Sequence, residues 1–330
     1  MVIKREIFIG YCLLVFSIFL NFVYICVKDF DVVVNADAYN YWRGHIYLIQ
    51  NPFDVSGNIY FGRYPEYIYD YLFSIMGVMG KIDKINTFAF ATAIPTYILI
   101  LYCYSTIPKV YCTKISSNKK GLLLQLLAAL LPLGLTIQAS RQAFAFFLAL
   151  SLIIALRRTP YVRAVAPVYV LVSTHVSSML VVILEYLTRH KRILVLAIFV
   201  LVMLIALPTI VNQLTHLKDF KLLRIDEFKS FDRYYLISIF SILFLAGKST
   251  LTNGRLIVLL LVSILILVCT PNAIISRMFF GYSWLWLILF AWSSFEIREW
   301  THLRFKVKFL ALVLLLGKSA YIFSESGSFS

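Results

Sequence analysis

Charge is scarce in this chain. Only 14% of its 330 residues are Asp, Glu, Lys or Arg, while 61% are hydrophobic and the mean hydropathy is +0.84. Soluble domains carry about 25% charged residues, so a soluble globular protein is excluded. Cysteine is sparse as well. Cys12, Cys26, Cys103, Cys112 and Cys269 form no CxxC pair and have no metal-ligand spacing, which removes a zinc site or a dithiol redox motif from consideration. The chain has no P-loop, GxGxxG, HExxH or GxSxG. ATP-driven transport by this chain alone therefore has no support. No internal repeat is visible, and there are no alternating ten-residue segments of the kind a membrane β-barrel needs.

What the chain does have is long continuous apolar runs, such as "LIVLLLVSILILV". Many approach or reach the roughly 17–25 residues that cross a bilayer as a helix. Candidate spans are Ile7–Val27, Ile85–Ile107, Gly121–Gln138, Gln142–Leu156, Ile193–Val211, Tyr234–Gly247, Leu256–Cys269, Met278–Phe295 and Phe309–Phe323. The first is too long for a signal peptide and lacks a small-residue cleavage site, so it reads as a retained span. The fold class is an all-α polytopic integral membrane protein, a single transmembrane domain over residues 1–330 with about nine full spans. The net charge of +15 suits topology-setting loops rather than a nucleic-acid partner.

One apolar segment, Ala164–Thr188, is flanked by Arg157, Arg158 and Arg163 on one side and by Arg189, Lys191 and Arg192 on the other. A single crossing would put one basic cluster on the wrong face. Counting from a cytoplasmic Lys4 and Arg5 decides the matter. If the segment is a short helical hairpin turning near His175, 18 of the 31 Lys and Arg lie inside and 12 outside, with Lys318 in a span. If it crosses once, the split is 15 to 15. Long loops are weak witnesses to topology. Without the five basic residues of the long Lys28–Lys84 loop, the contrast is 18:7 against 15:10. The hairpin arrangement follows. Residues 28–84 become an aromatic-rich outer loop and 212–233 a second outer loop. The hairpin arms are too short to cross, and broken elements are tolerated only against protein or a water-filled cavity. An outward-facing cavity with His175 near its floor is expected.

Four chemistry-bearing residues then share the outer face. Arg141 is the only ionisable residue between Gly121 and Leu156, and it falls in the turn between two spans. Arg277 lies at the outer end of another span, and Asp37 on the outer loop. Two arginines beside a wet cavity suit a phosphate or diphosphate, because the guanidinium fork matches phosphate oxygens and keeps its charge. His175 or Asp37 could act as a base. Tyr39, Tyr41, Trp42 and Tyr67 belong to an aromatic set suited to sugar rings. Each has a plainer reading: a snorkelling arginine, a histidine bonded to a neighbouring helix, an interfacial aromatic belt. Asp29 and Asp31, in "DFD" after the first span, could hold a divalent metal or be solvated loop charges.

In order along the chain, "NADAYNYW", "RYPEYIYDYLF", "SRQAFAFFLALSLI", "STHVSSMLVVI" and "SRMFFGYSWLWLIL" resemble the elements of the EpsG family of Wzy-type polysaccharide polymerases. "YPEY" departs from that family's usual wording, so Glu66 inherits no role. The resemblance implies a GT-C-like glycosyltransferase in the bacterial cytoplasmic membrane with its active site facing outward. It joins repeat units carried on undecaprenyl diphosphate into O-antigen, capsule or exopolysaccharide, using no metal or other cofactor. Its partners are the lipid-linked donor and acceptor glycans, membrane lipid and a chain-length regulator protein. Arg141 and Arg277 would bind the diphosphate. His175 or Asp37 would take the acceptor proton. Tyr39, Tyr41, Trp42, Tyr67 and Gln142 would contact substrate. The alternatives are a transferase using polyprenyl-phosphate sugars, with Asp29 and Asp31 as its acidic motif, and a lipid-linked oligosaccharide flippase or transporter.

Overall fold

Every described element is a helix. The computed structural model of the chain describes residues 5–28, 37–51, 84–111, 116–138, 140–155, 229–245, 285, 288–289, 292 and 300–326. Its helices are α1 (Arg5–Val27), α2 (Asp37–Gln50), α3 (Ile85–Tyr111), α4 (Ser117–Leu130), α5 (Leu135–Gln138), α6 (Ser140–Ala155), α7 (Lys229–Leu245) and α8 (Trp300–Ser326). Three stretches, Arg5–Val27, Ile85–Val110 and His302–Ser324, are long and apolar enough to cross a membrane. At 1.5 Å per residue the shorter of them reach about 34 Å, against a hydrocarbon thickness of about 30 Å. Large apolar side chains stand exposed along all three, among them Phe16 and Phe19, Ile94 and Ile98, and Leu312 and Phe323. In water such stripes are an aggregation hazard; in a bilayer they are the lipid-facing surface.

The chain divides into two compact units. One comprises Met1–Val182 with Ala311–Ser330, the other Ile183–Leu310. In the second, Lys306 Nζ donates to the Phe244 carbonyl at 2.9 Å, and the Phe244 and Phe309 rings meet at 6.3 Å. Leu285, Ile288, Leu289 and Trp292 are buried there.

The first unit is built on α1 and α4, which run side by side in the same direction. The paired positions rise together: Gly121 lies against the Glu6–Ile7 backbone, and Gly10 against Leu124. A Cβ on Gly121 would come within 2.5 Å of the Glu6 carbonyl carbon, so the two backbones approach as only glycine permits. Gln125 Nε2 donates at 3.0 Å to both the backbone oxygen and Oε2 of Glu6, all of it buried. α3 runs the opposite way, starting beside the end of α1, where Asn86 Nδ2 reaches the Cys26 carbonyl at 3.4 Å. Phe22 packs on Phe90 and Tyr97 at 4.6 and 5.1 Å. α6 descends with α3, joined through Cys103 and Ser151 at 3.2 Å and through Tyr104 on Phe147 at 6.1 Å.

The apolar stretch expected as one span over Gly121–Gln138 is interrupted. α4 ends at Leu130, and a four-residue break, Leu131–Gly134, separates it from α5. The reason is local. Pro132 has no N–H, its ring opposes the carbonyl four residues back, and it pushes the preceding residue out of the α region. Leu131 accordingly sits at φ −55°, ψ 119°. Gly134 then takes φ 74°, in the left-handed region that glycine occupies freely. The turn expected at Arg141 is thus displaced toward the N-terminus, and Arg141 is helical. The remaining boundaries differ less. α7 begins at Lys229, inside the expected outer loop 212–233, and α8 starts well before Phe309. The hairpin Ala164–Thr188 and the spans Ile193–Val211 and Leu256–Cys269 lie outside the described residues, as does most of Met278–Phe295.

Candidate functional site

The segment read as the long outer loop carries α2. It is amphipathic rather than apolar, and it packs against α3 and α5. Gly44 and His45 are buried on it, whereas Arg43 and Gln50 are exposed. His45 lies flat on Phe88, ring centroids 4.8 Å apart and planes 18° apart. At about 100° per residue, positions 37, 41 and 44 lie near one line along α2. Tyr39 falls on the opposite side from Asp37. Trp42 is half-buried.

Arg141 is the second residue of α6 and Gln142 the third. The break and α5 stand directly ahead of them. The break is seated on α1: Gly134 N donates to Asn21 Oδ1 at 2.9 Å, and Asn21 is wholly buried. α5 is tied to α3 through Thr136 Oγ1 and Tyr97 Oη at 3.4 Å, and it touches α2. The end of α1, the start of α3, the break and α5 therefore share one end of this unit, with α2 on α5 and α6 beginning there. The free N–H groups of a helix's first turn favour an anion, and Arg141 belongs to that turn. On this backbone frame α2, which begins with Asp37, and α6, which carries Arg141, each contact α5.

The side chains of Asp37, Tyr39, Tyr41, Arg141 and Gln142 are not among those described. His175, Arg277 and Tyr67 lie outside the described residues altogether, as do Asp29, Asp31 and Glu66. Among the described residues, no three His, Cys, Asp or Glu side chains are grouped to hold a metal ion. Lys28 caps this end from α1, its Nζ 5.7 Å above the Tyr24 ring.

Sequence reasoning missed three features of this end. His45 lay in a polar-looking stretch with no spacing partner. Asn21, a lone amide in an apolar run, gave no hint of its distant partner. Pro132 and Gly134, by contrast, are ordinary helix-breaking signals, and "LLPLGL" could have been read as a break.

Comparison with protein-family models, with curated proteins and with solved structures finds no match for this chain.

Proposed function

We propose that this helical membrane protein is a glycosyltransferase of the repeat-unit polymerase kind. It would join oligosaccharides carried on undecaprenyl diphosphate, on the outer face of the bacterial cytoplasmic membrane. The observation that carries the reading is the lone arginine of a long apolar stretch in the first turn of α6, beside the element that holds α2. The resemblance of five short elements to the EpsG family supports it, and so does the charge count. In the proposed reaction an acceptor hydroxyl attacks the anomeric carbon of the donor sugar. The bond to the diphosphate oxygen breaks, and undecaprenyl diphosphate leaves with the electron pair. His175 or Asp37 takes the hydroxyl proton. Arg141 and Arg277 stabilise the charge that grows on the leaving diphosphate. Tyr39, Tyr41, Trp42, Tyr67 and Gln142 line the glycan path. The remaining architecture of the proposal is about nine spans with a short hairpin, in a GT-C-like arrangement.

Replacing Arg141 tests this directly. Arg141→Ala should lower polymer output about 100-fold or more, the scale of losing one stabilising donor on a developing anion. Arg141→Lys should fall between, keeping the charge but losing the fork. The surface glycan should shorten to single repeat units while the protein stays at its normal membrane level. If the Asp29→Asn, Asp31→Asn double variant is the more damaging one and activity follows added divalent metal, the transferase using polyprenyl-phosphate sugars is the better reading. If deletion leaves no repeat unit on the outer face at all, the protein is a flippase.

A further inference from the structure

The first unit contains an intramembrane lysine that the proposed chemistry leaves unused. Lys318 lies inside the third long apolar stretch and is 9% exposed. It shares a buried stripe of α8 with Ala311, Leu315 and Ile322, while Leu312, Leu316 and Phe323 are exposed. A lysine that merely anchors a span end sends its ammonium along the lipid surface to the headgroups. Lys318 instead turns inward at mid-helix depth, where its Nζ donates to Ser17 Oγ at 3.1 Å. Ser17 is wholly buried. A cation at that depth costs at least a few kcal/mol, and such residues are functional candidates by default.

The chain of contacts continues from Ser17. Its carbonyl accepts from Asn21 Nδ2 at 2.9 Å, and Asn21 Oδ1 accepts from Gly134 N at 2.9 Å. The Tyr24 ring closes over Gly134, so that a Cβ there would lie 2.8 Å from Cε1. Tyr24 in turn packs on Tyr321 at 6.0 Å, one turn beyond Lys318. Two residues of α8 thus grip two residues of α1, and between them Asn21 and Tyr24 fix the one left-handed glycine of the break. Seven residues after that glycine comes Arg141.

We infer that Lys318 is a positioning residue. Through Ser17 and Asn21 it holds the Leu131–Gly134 break, and so sets where α6 begins and where Arg141 is presented. The break leaves the regular helix at Leu131, whose N donates to the Ala128 carbonyl at 3.4 Å, and Gly134 N is held by Asn21; without the clasp its backbone would have other arrangements open to it. The lysine acts at a distance from the reacting groups, and its effect on polymerisation rests on the role proposed for Arg141.

Thiol labelling in whole cells separates the two claims. Gln142→Cys is placed in a chain whose native cysteines are replaced, and Asn51→Cys serves as a control at the end of α2. An impermeant maleimide then reports each site from outside. Lys318→Met and Asn21→Ala should change the labelling rate at position 142 by about threefold or more, the scale of a modest coupling. Position 51 should keep its rate. Lys318→Arg, which restores a donor to Ser17, should return position 142 close to the parent rate. In chains that keep Gln142, glycan length should follow the same order. Unchanged labelling at 142 in Lys318→Met, at normal membrane levels, overturns the inference. So does an equal change at 51, which would mean general loosening. Altered labelling at 142 with full-length glycan supports the clasp and overturns the role given to Arg141.

Discussion

Gly134 is the residue on which the break between α4 and α5 turns. Its φ of 74° costs an L-residue about 1–2 kcal/mol, and a Cβ there would also press on the Tyr24 ring at 2.8 Å. The two penalties have different remedies. Gly134→Ala should lower the detergent melting temperature by several degrees. Adding Tyr24→Leu should recover only part of the loss, because removing the ring leaves the dihedral cost in place. A Gly134→Ala protein that melts with the parent would show that the break is not built on this glycine. Residue-scale features of this kind divide sharply in how legible they are. The glycine and Pro132 announce themselves through backbone rules that act within a few residues. Asn21 does not, because its role depends on a partner 113 positions away. The same holds for Lys318, whose sequence context says only that it is a charge inside a span.

At the scale of elements, the sequence and the structure agree best at two boundaries that hydrophobicity sets. The end of α1 at Val27 and the start of α3 at Ile85 match the apolar runs to the residue. They part most where hydrophobicity is silent. The region 28–84 reads as a loop because α2 is amphipathic, carrying Asp37, Arg43 and His45 among its aromatics; counting apolar residues cannot find such a helix, though a period-3.6 pattern could. Of the candidate site, Asp37 and Arg141 fall in the described helices α2 and α6, while His175 and Arg277 lie outside the described residues. The site's geometry was not legible in the sequence, since α2 reaches α5 only through tertiary packing. Packing between α1 and α4 gives the element-scale prediction. At Gly121 an added methyl would meet backbone at 2.5 Å, whereas at Gly10 it would meet side-chain atoms of Leu124, the nearest Cγ at 2.9 Å. Gly121→Ala should therefore cost about 1–3 kcal/mol, the range for overpacking, and Gly10→Ala clearly less. Melting both variants in the same detergent checks the order. Equal effects would mean that the helices can part without penalty.

The direction of α8 bears on the whole molecule. Its contacts with α1 rise in step, Lys318 with Ser17 and then Tyr321 with Tyr24, so the two helices run the same way. Helices that run the same way through one membrane begin on the same face. On the proposed topology, with both helices crossing from the same face, an even number of crossings would lie between Ala155, where α6 ends, and the start of α8. The hairpin reading of Ala164–Thr188 provides four. A single crossing there provides five and would turn α8 around. The prediction is that a cysteine at Ser326 or Gln142 reacts with an impermeant reagent from outside, and that one at Lys119 or Thr159 reacts only after the membrane is opened. Ser177, at the expected hairpin turn, should join the outside group. Reaction at Ser326 only from within would set α8 against α1. It would remove the hairpin, and with it the argument that brings His175 and Arg277 to the face where Arg141 begins its helix.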